Sequence, residues 1–144
     1  MQRIANPVAT AHRSADPALQ AYQILRLGFV AAPVIAGVDK FTRLLTDWDA
    51  YLAPSIASVL PVGVHSFMMV VGVIEIVAGV LVAVRPRLGA YVVAAWLVGI
   101  MLDLVLRGHA LDIALRDLGL CLGALALARL AIVYDRPHAT VGGG

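Results

Sequence analysis

The stretch from Pro61 to Val84, PVGVHSFMMVVGVIEIVAGVLVAV, constrains this chain more than any other. It is long enough to cross a bilayer core as one helix, and its only ionisable side chains are His65 and Glu75. Steps of three or four residues put His65, Met68, Gly72, Glu75 and Gly79 on one helical face. The opposite face is Val, Ile, Ala and Leu. Such a helix turns its aliphatic side to lipid and its small, polar side to other helices, so the rest of the chain is expected to supply partners for His65 and Glu75.

Three further runs share this character. The first, 19–41, has a clean apolar core only from Leu27 to Val38, with Pro33 and Gly37 inside it, Arg26 near one end and Asp39 and Lys40 near the other. It is expected to be a tilted or partly protein-covered span, with Arg26 snorkelling or paired. A third span, 88–106, puts Gly89, Val92, Trp96, Gly99 and Asp103 on one face; an Arg107-Gly108-His109 connection leads to a fourth, 111–134. In that last span Gly119-x-x-x-Gly123 and Ala124-x-x-x-Ala128 permit close helix approach. The expected fold class is all-α: a polytopic four-transmembrane-helix bundle. Composition agrees, with 61% hydrophobic and 14% charged residues over 144, against about 25% charged in an ordinary soluble domain.

Between the first two spans, 42–60 is polar and aromatic, and Pro54 interrupts it. Trp48 and Tyr51 suit a headgroup level, and Leu44, Leu45, Trp48, Leu52, Ile56, Val59 and Leu60 recur at helical spacing, which predicts a short interfacial helix. Arg85-Pro86-Arg87 is a turn out of the bilayer. Residues 1–18 and 135–144 read as flexible tails. The N-terminal residues lack the apolar core and small-residue cleavage site of a secretory signal, so the first run is expected to stay as a membrane helix.

Four spans divide the cations seven to four. Arg3, Arg13, Arg26, Arg85, Arg87, Arg129 and Arg136 fall towards the side of both termini, and Lys40, Arg43, Arg107 and Arg116 towards the other. The excess predicts cytoplasmic termini and a multi-pass protein of the cell inner (plasma) membrane. The net charge of +2 and the scatter of the cations give nucleic-acid binding no support. A single cysteine, Cys121, excludes an intrachain disulfide and a self-contained CxxC redox site; leucines flank it, as suits a packing residue.

Depth sorts the polar groups. His65, Lys40, Asp103, Arg116 and Asp117 fall in the outer halves of their spans, whereas Glu75 lies about 13 Å from the cytoplasmic end at ~1.5 Å per residue. A lone charge near mid-bilayer costs on the order of several kcal/mol, so Glu75 requires a partner or a proton. Arg26 is the best partner by sign and depth, and an Arg26–Glu75 pair would lock two spans together. His65 would cap an outer-side carboxylate, relay protons or hydrogen-bond a quinone carbonyl. Asp112 and Arg116 form a favourable i,i+4 pair, and the adjacent Arg116 and Asp117 should meet different neighbours. His65, Asp103 and Arg116 are expected to converge on one cavity, with Lys40 and Asp117, and Asp39 in support, around it. His65, Asp103 and Asp117 match no compact metal-ligand spacing, and no phosphate loop, dinucleotide fingerprint, haem-attachment motif or hydrolase elbow is present.

Arg26-x-Gly28 followed by Gly37-x-x-Lys40-Phe41 resembles the first helix of DoxX-like membrane proteins, and Gly72-x-x-Glu75-x-x-x-Gly79 resembles their second-helix signature. The resemblance covers residues 22 to 134. It implies a small four-helix membrane protein similar to subunits linked with thiosulfate:quinone oxidoreduction or with membrane-associated thiol and oxidative-stress systems. The lack of a cysteine pair sets this chain apart from independent thiol chemistry. The expected role is a non-catalytic membrane subunit that anchors or assembles a respiratory or redox-associated complex, in contact with lipid and a protein partner. The alternatives are a quinone-binding oxidoreductase component and a small-solute transporter; the latter would need duplicated broken helices that the sequence does not show.

Overall fold

In the computed structural model, residues 16–108 and 110–135 are described. Among them the secondary structure is entirely helical, and four helices are long and apolar enough to cross a membrane: α1 (Pro17–Thr42), α3 (Val64–Val84), α4 (Pro86–Arg107) and α5 (Leu111–Tyr134). A single-turn helix, α2 (Pro54–Ala57), lies in the first connection after a 3-10 turn at Trp48–Tyr51. The two expected tails fall mostly outside the described residues, as does His109; Pro17 and Ala18 are already helical.

The helices close into a four-membered ring: α1 packs on α3, α3 on α4, α4 on α5, and α5 back on α1. The α1–α3 seam is antiparallel and set by small residues. A Cβ on Gly37 would stand 2.5 Å from the Gly72 carbonyl oxygen, and one on Gly72 would stand 2.7 Å from that of Gly37. Seven residues on, a Cβ on Gly79 would meet Val34 at 2.7 Å, with the Val30 carbonyl oxygen and the Pro33 ring beside it. Pro33 therefore fills the groove over Gly79 without ending α1, which continues through it.

The α3–α4 hairpin has no loop. Arg85 closes α3, its N–H donating to the Leu81 carbonyl, and its own carbonyl accepts from Gly89 to open α4. Gly89 lets the two backbones meet, since a Cβ there would lie 2.4 Å from the Val82 nitrogen. Across the ring, Ala90, Ala94 and Leu97 of α4 share one buried core with Ala124, Leu127, Ala128 and Ala131 of α5. The buried Cys121 thiol is directed at the Ala94 carbonyl, 3.6 Å away.

Three local expectations change. The buried stripe of α4 is Gly89, Ala90, Val93, Ala94, Leu97 and Leu104, not the Gly89–Val92–Trp96–Gly99–Asp103 face; Val92 is exposed, and a Cβ on Gly99 would meet nothing within 4 Å. The core between α4 and α5 selects Ala and Leu for close packing, so the small residues that matter there are alanines. On α5, Ala124 and Ala128 are fully buried and Gly123 touches Phe29, but Gly119 faces open space. Of the four long helices, α1 is the least covered by protein, so its weak apolar signal does not reflect shielding by neighbours.

One end of the ring is fastened by aromatic side chains. Asp16 caps α1 by accepting from the Ala18 N–H at 3.0 Å, and it also accepts from the Tyr134 hydroxyl at the end of α5. Tyr134 stacks on the buried Tyr22 ring with centroids 5.7 Å apart. The Tyr134 hydroxyl, and after it the Ala18 N–H, hold the Asp16 carboxyl below its ordinary range. This fastening is complete above the ordinary carboxylate pKa and is lost as pH falls through the lowered one.

The seam yields a direct test. Gly72→Leu should destabilise the detergent-solubilised protein by ~1–3 kcal/mol through overpacking against the Gly37 backbone. Gly99→Leu, into open space, should leave the thermal midpoint close to that of the unsubstituted protein. Equal losses for the two variants would contradict the seam.

Candidate functional site

The polar groups gather at the end of the bundle where α1 finishes and α3 begins. At the centre, Lys40 Nζ of α1 contacts Glu75 Oε2 of α3 at 2.6 Å, with side chains only 3% and 9% exposed. Each stands three residues after a glycine of the close crossing, Gly37 or Gly72, and so lies immediately beside it. Helical side chains lean towards their own N-terminus. In this antiparallel pair Lys40 leans towards the bundle middle and Glu75 towards the α1 C-terminus, so the two converge.

Trp48 and Asp39 complete the group. The Lys40 ammonium lies 3.7 Å from the centroid of the Trp48 ring, a cation–π contact. The Trp48 indole N–H donates to Asp39 Oδ2 at 2.7 Å. The other oxygen, Oδ1, accepts from the Leu44 and Leu45 N–H groups at 2.9 and 3.0 Å and from the Thr42 hydroxyl at 3.2 Å. Arg43 ends α1 in a left-handed conformation, φ 53°, with its N–H on the Asp39 carbonyl. One buried carboxylate thus ends the helix, folds back the chain after it and holds the tryptophan over the lysine. It also breaks the expected interfacial helix: once the Leu44 and Leu45 N–H groups go to Asp39, the chain continues as the 3-10 turn, capped by Asp47, and the Pro54 turn.

Around this core the remaining groups have separate partners. Arg43 reaches both Asp49, at 2.9 Å, and His65 Nδ1, and that nitrogen lies 3.4 Å from the same Asp49 oxygen. His65 thus lies against the Asp49 carboxylate and is half exposed. Asp103 of α4 accepts from the fully buried Ala53 N–H at 3.0 Å, fastening the connection to the far side of the ring. Arg116 of α5 is 70% exposed and approaches Asp117 at 3.8 Å.

Three expectations are therefore corrected. Glu75 pairs with Lys40, and Arg26 donates to the Ala83 carbonyl in the last turn of α3. The last carbonyls of a helix have no intrahelical donor, and Arg26, leaning towards its own N-terminus, is aimed at them and away from Glu75. His65, Asp103 and Arg116 are not bonded to one another: among the described residues each has its own partner, Arg43 and Asp49 for His65, the Ala53 N–H for Asp103 and Asp117 for Arg116. Arg116 pairs with its neighbour Asp117 and not with Asp112. Lys40 and Asp39, expected in support, form the centre with Glu75.

Sequence reasoning missed Trp48, which reads as an interfacial anchor, and Asp49. The available signal for Trp48 was the run Asp39-Lys40 within nine residues of an indole that offers a donor for one and a π-face for the other. Among the described residues, no group of three or more His, Cys, Asp or Glu side chains could hold a metal ion. An open cleft occurs at the other end of the bundle, lined by Arg85, Arg87, Leu88, Tyr91 and Asp135.

No family model, curated protein or solved structure matches this chain.

The pair is open to a double-mutant cycle. Lys40→Ala or Glu75→Ala alone leaves a buried charge unmatched and should cost ~3–5 kcal/mol, while the double variant should cost clearly less than their sum. Arg26→Ala combined with Glu75→Ala should be additive. Thermal unfolding in detergent or nanodiscs reads all three, and additivity for Lys40 and Glu75 would exclude the pairing.

Proposed function

We propose that this chain is a non-catalytic integral membrane subunit that anchors or assembles a respiratory or redox-associated complex in the plasma membrane, with both termini cytoplasmic. The observation that carries this reading is the Lys40–Glu75 contact. The charges set deepest between α1 and α3 neutralise each other beneath Trp48, so they serve helix association and are not presented to a substrate. The helices meanwhile expose apolar side chains such as Val73, Val77 and Val80 on α3 and Leu118 and Leu122 on α5, suited to lipid or to another membrane protein. The redox association rests on the resemblance to DoxX-like subunits. The cytoplasmic placement of Arg85 and Arg87 rests on the cation bias.

A quinone-binding component would require a polar atom free to meet a carbonyl oxygen. Arg43 engages His65 Nδ1 and the Ala53 N–H takes the Asp103 carboxylate, so this reading would rest on Nε2 of the half-exposed His65 ring as its donor. A transporter is less favoured, because many transporters build their sites from broken helices and α1, α3, α4 and α5 are continuous.

Mild solubilisation of the tagged protein from its native membranes should retain a stoichiometric membrane partner carrying a redox cofactor. Recovery solely as a homogeneous, partner-free particle would overturn the proposal. Orientation has its own readout. In a Cys121→Ser background, a cysteine at Ser58 should react with an impermeant maleimide in intact cells, and one at Arg87 only after lysis.

A further inference from the structure

The end of the bundle away from the Lys40–Glu75 pair holds the α3–α4 hairpin and the end of α5. Between them opens a cleft of about 350 Å³, lined by Arg85, Arg87, Leu88, Tyr91 and Asp135. That volume falls in the range of small-ligand sites. All five residues are exposed, and the walls carry charge of both signs. At the opposite end of the bundle Lys40 holds Glu75, Arg43 holds Asp49 and Arg116 approaches Asp117. Here, among the described residues, no ion pair or hydrogen bond engages either guanidinium or the Asp135 carboxylate. Opposite charges thus share one cleft without neutralising each other.

The backbone adds to the positive wall. Pro86 opens α4 without an N–H, and no side chain caps the helix. The Gly89 N–H bonds the Arg85 carbonyl, which leaves those of Arg87 and Leu88 with no acceptor among the described residues. Along α4 from the cleft towards the bundle middle the surface turns apolar, with Leu88, Tyr91 and Val92 all exposed. A tyrosine at this level suits the boundary between headgroups and acyl chains.

A ligand matched to this cleft carries an anion for two guanidinium groups, a cation for one carboxylate and an apolar tail. The guanidinium fork suits phosphate, since it meets two oxygens at once. A carboxylate suits a primary ammonium, which offers three N–H donors. We propose that the cleft binds an aminophospholipid of the phosphatidylethanolamine type. Its phosphate rests on Arg85 and Arg87, its ammonium on Asp135, and its acyl chains along Leu88, Tyr91 and Val92. An anionic headgroup without an ammonium would satisfy the arginines and leave Asp135 facing negative charge. The site is independent of the assembly role and of which leaflet the hairpin faces; it requires only that the four helices lie in a bilayer.

Native mass spectrometry of the protein released from nanodiscs tests this. The bilayer contains equal parts phosphatidylethanolamine, phosphatidylglycerol and phosphatidylcholine. Retained lipid should be enriched in phosphatidylethanolamine about threefold over each of the others, the scale of an exposed ion pair. Arg85→Ala with Arg87→Ala should abolish the enrichment. Asp135→Lys should reverse it in favour of phosphatidylglycerol, a gained preference that a misfolded protein would not show. Excess soluble glycerophosphoethanolamine should leave the enrichment intact, because it lacks the chains. Equal retention of the three lipids by the unsubstituted protein, an unchanged preference in Asp135→Lys, or full displacement by the soluble headgroup would overturn the proposal.

Discussion

The bundle depends on the contact of two glycine backbones. Gly37 and Gly72 bring α1 and α3 so close that neither would admit a methyl group without displacement. At that separation the long Lys40 side chain and the shorter Glu75 meet directly, without an intervening water or helix turn. Without hydrophobic segregation between helices in lipid, such close packing and the polar contacts it permits supply the association energy. The small residues at the crossing and the charges beside it are therefore one device: the glycines set the distance, and the charges give it a register.

A buried ion pair is a modest source of stability, since the desolvation of both groups offsets most of their attraction. Its value here is in discrimination. A slip of one turn along the α1–α3 seam would strand an ammonium and a carboxylate among aliphatic side chains, so misregistered pairings are penalised far more than the correct one is rewarded. Trp48 contributes to the same end from the connection, covering the lysine with a π-face while Asp39 fixes the indole through its N–H. The connection between the first two spans is thereby part of the charge compensation and not merely a tether.

Much of the architecture was legible because membrane spans are written in hydropathy. The span 111–134 agrees with α5 at both ends, and α1, α3 and α4 differ from their expected bounds by a few residues. The partner of Glu75 was not legible from depth counting, since Arg26 and Lys40 both carry the right sign. The deciding information is directional: side chains on antiparallel helices lean towards opposite ends, which brings Lys40 to Glu75 and Arg26 to the α3 carbonyls. The 42–60 segment misled for a different reason. Its leucines have helical spacing, but the Asp39 carboxylate competes for the N–H groups that a helix would need. Similar depth also did not reveal the partners of His65, Asp103 and Arg116, two of which come from the connection after α1.

The Lys40–Glu75 contact also has a temporal side. Its members are 35 residues apart, so during synthesis the ammonium enters the membrane environment well before its counter-ion exists. Trp48 and Asp39, within eight residues of Lys40, are made almost with it, and the π-face they position is a provisional partner. The connection that follows the first helix thus offers the charge a partner before the second helix is made.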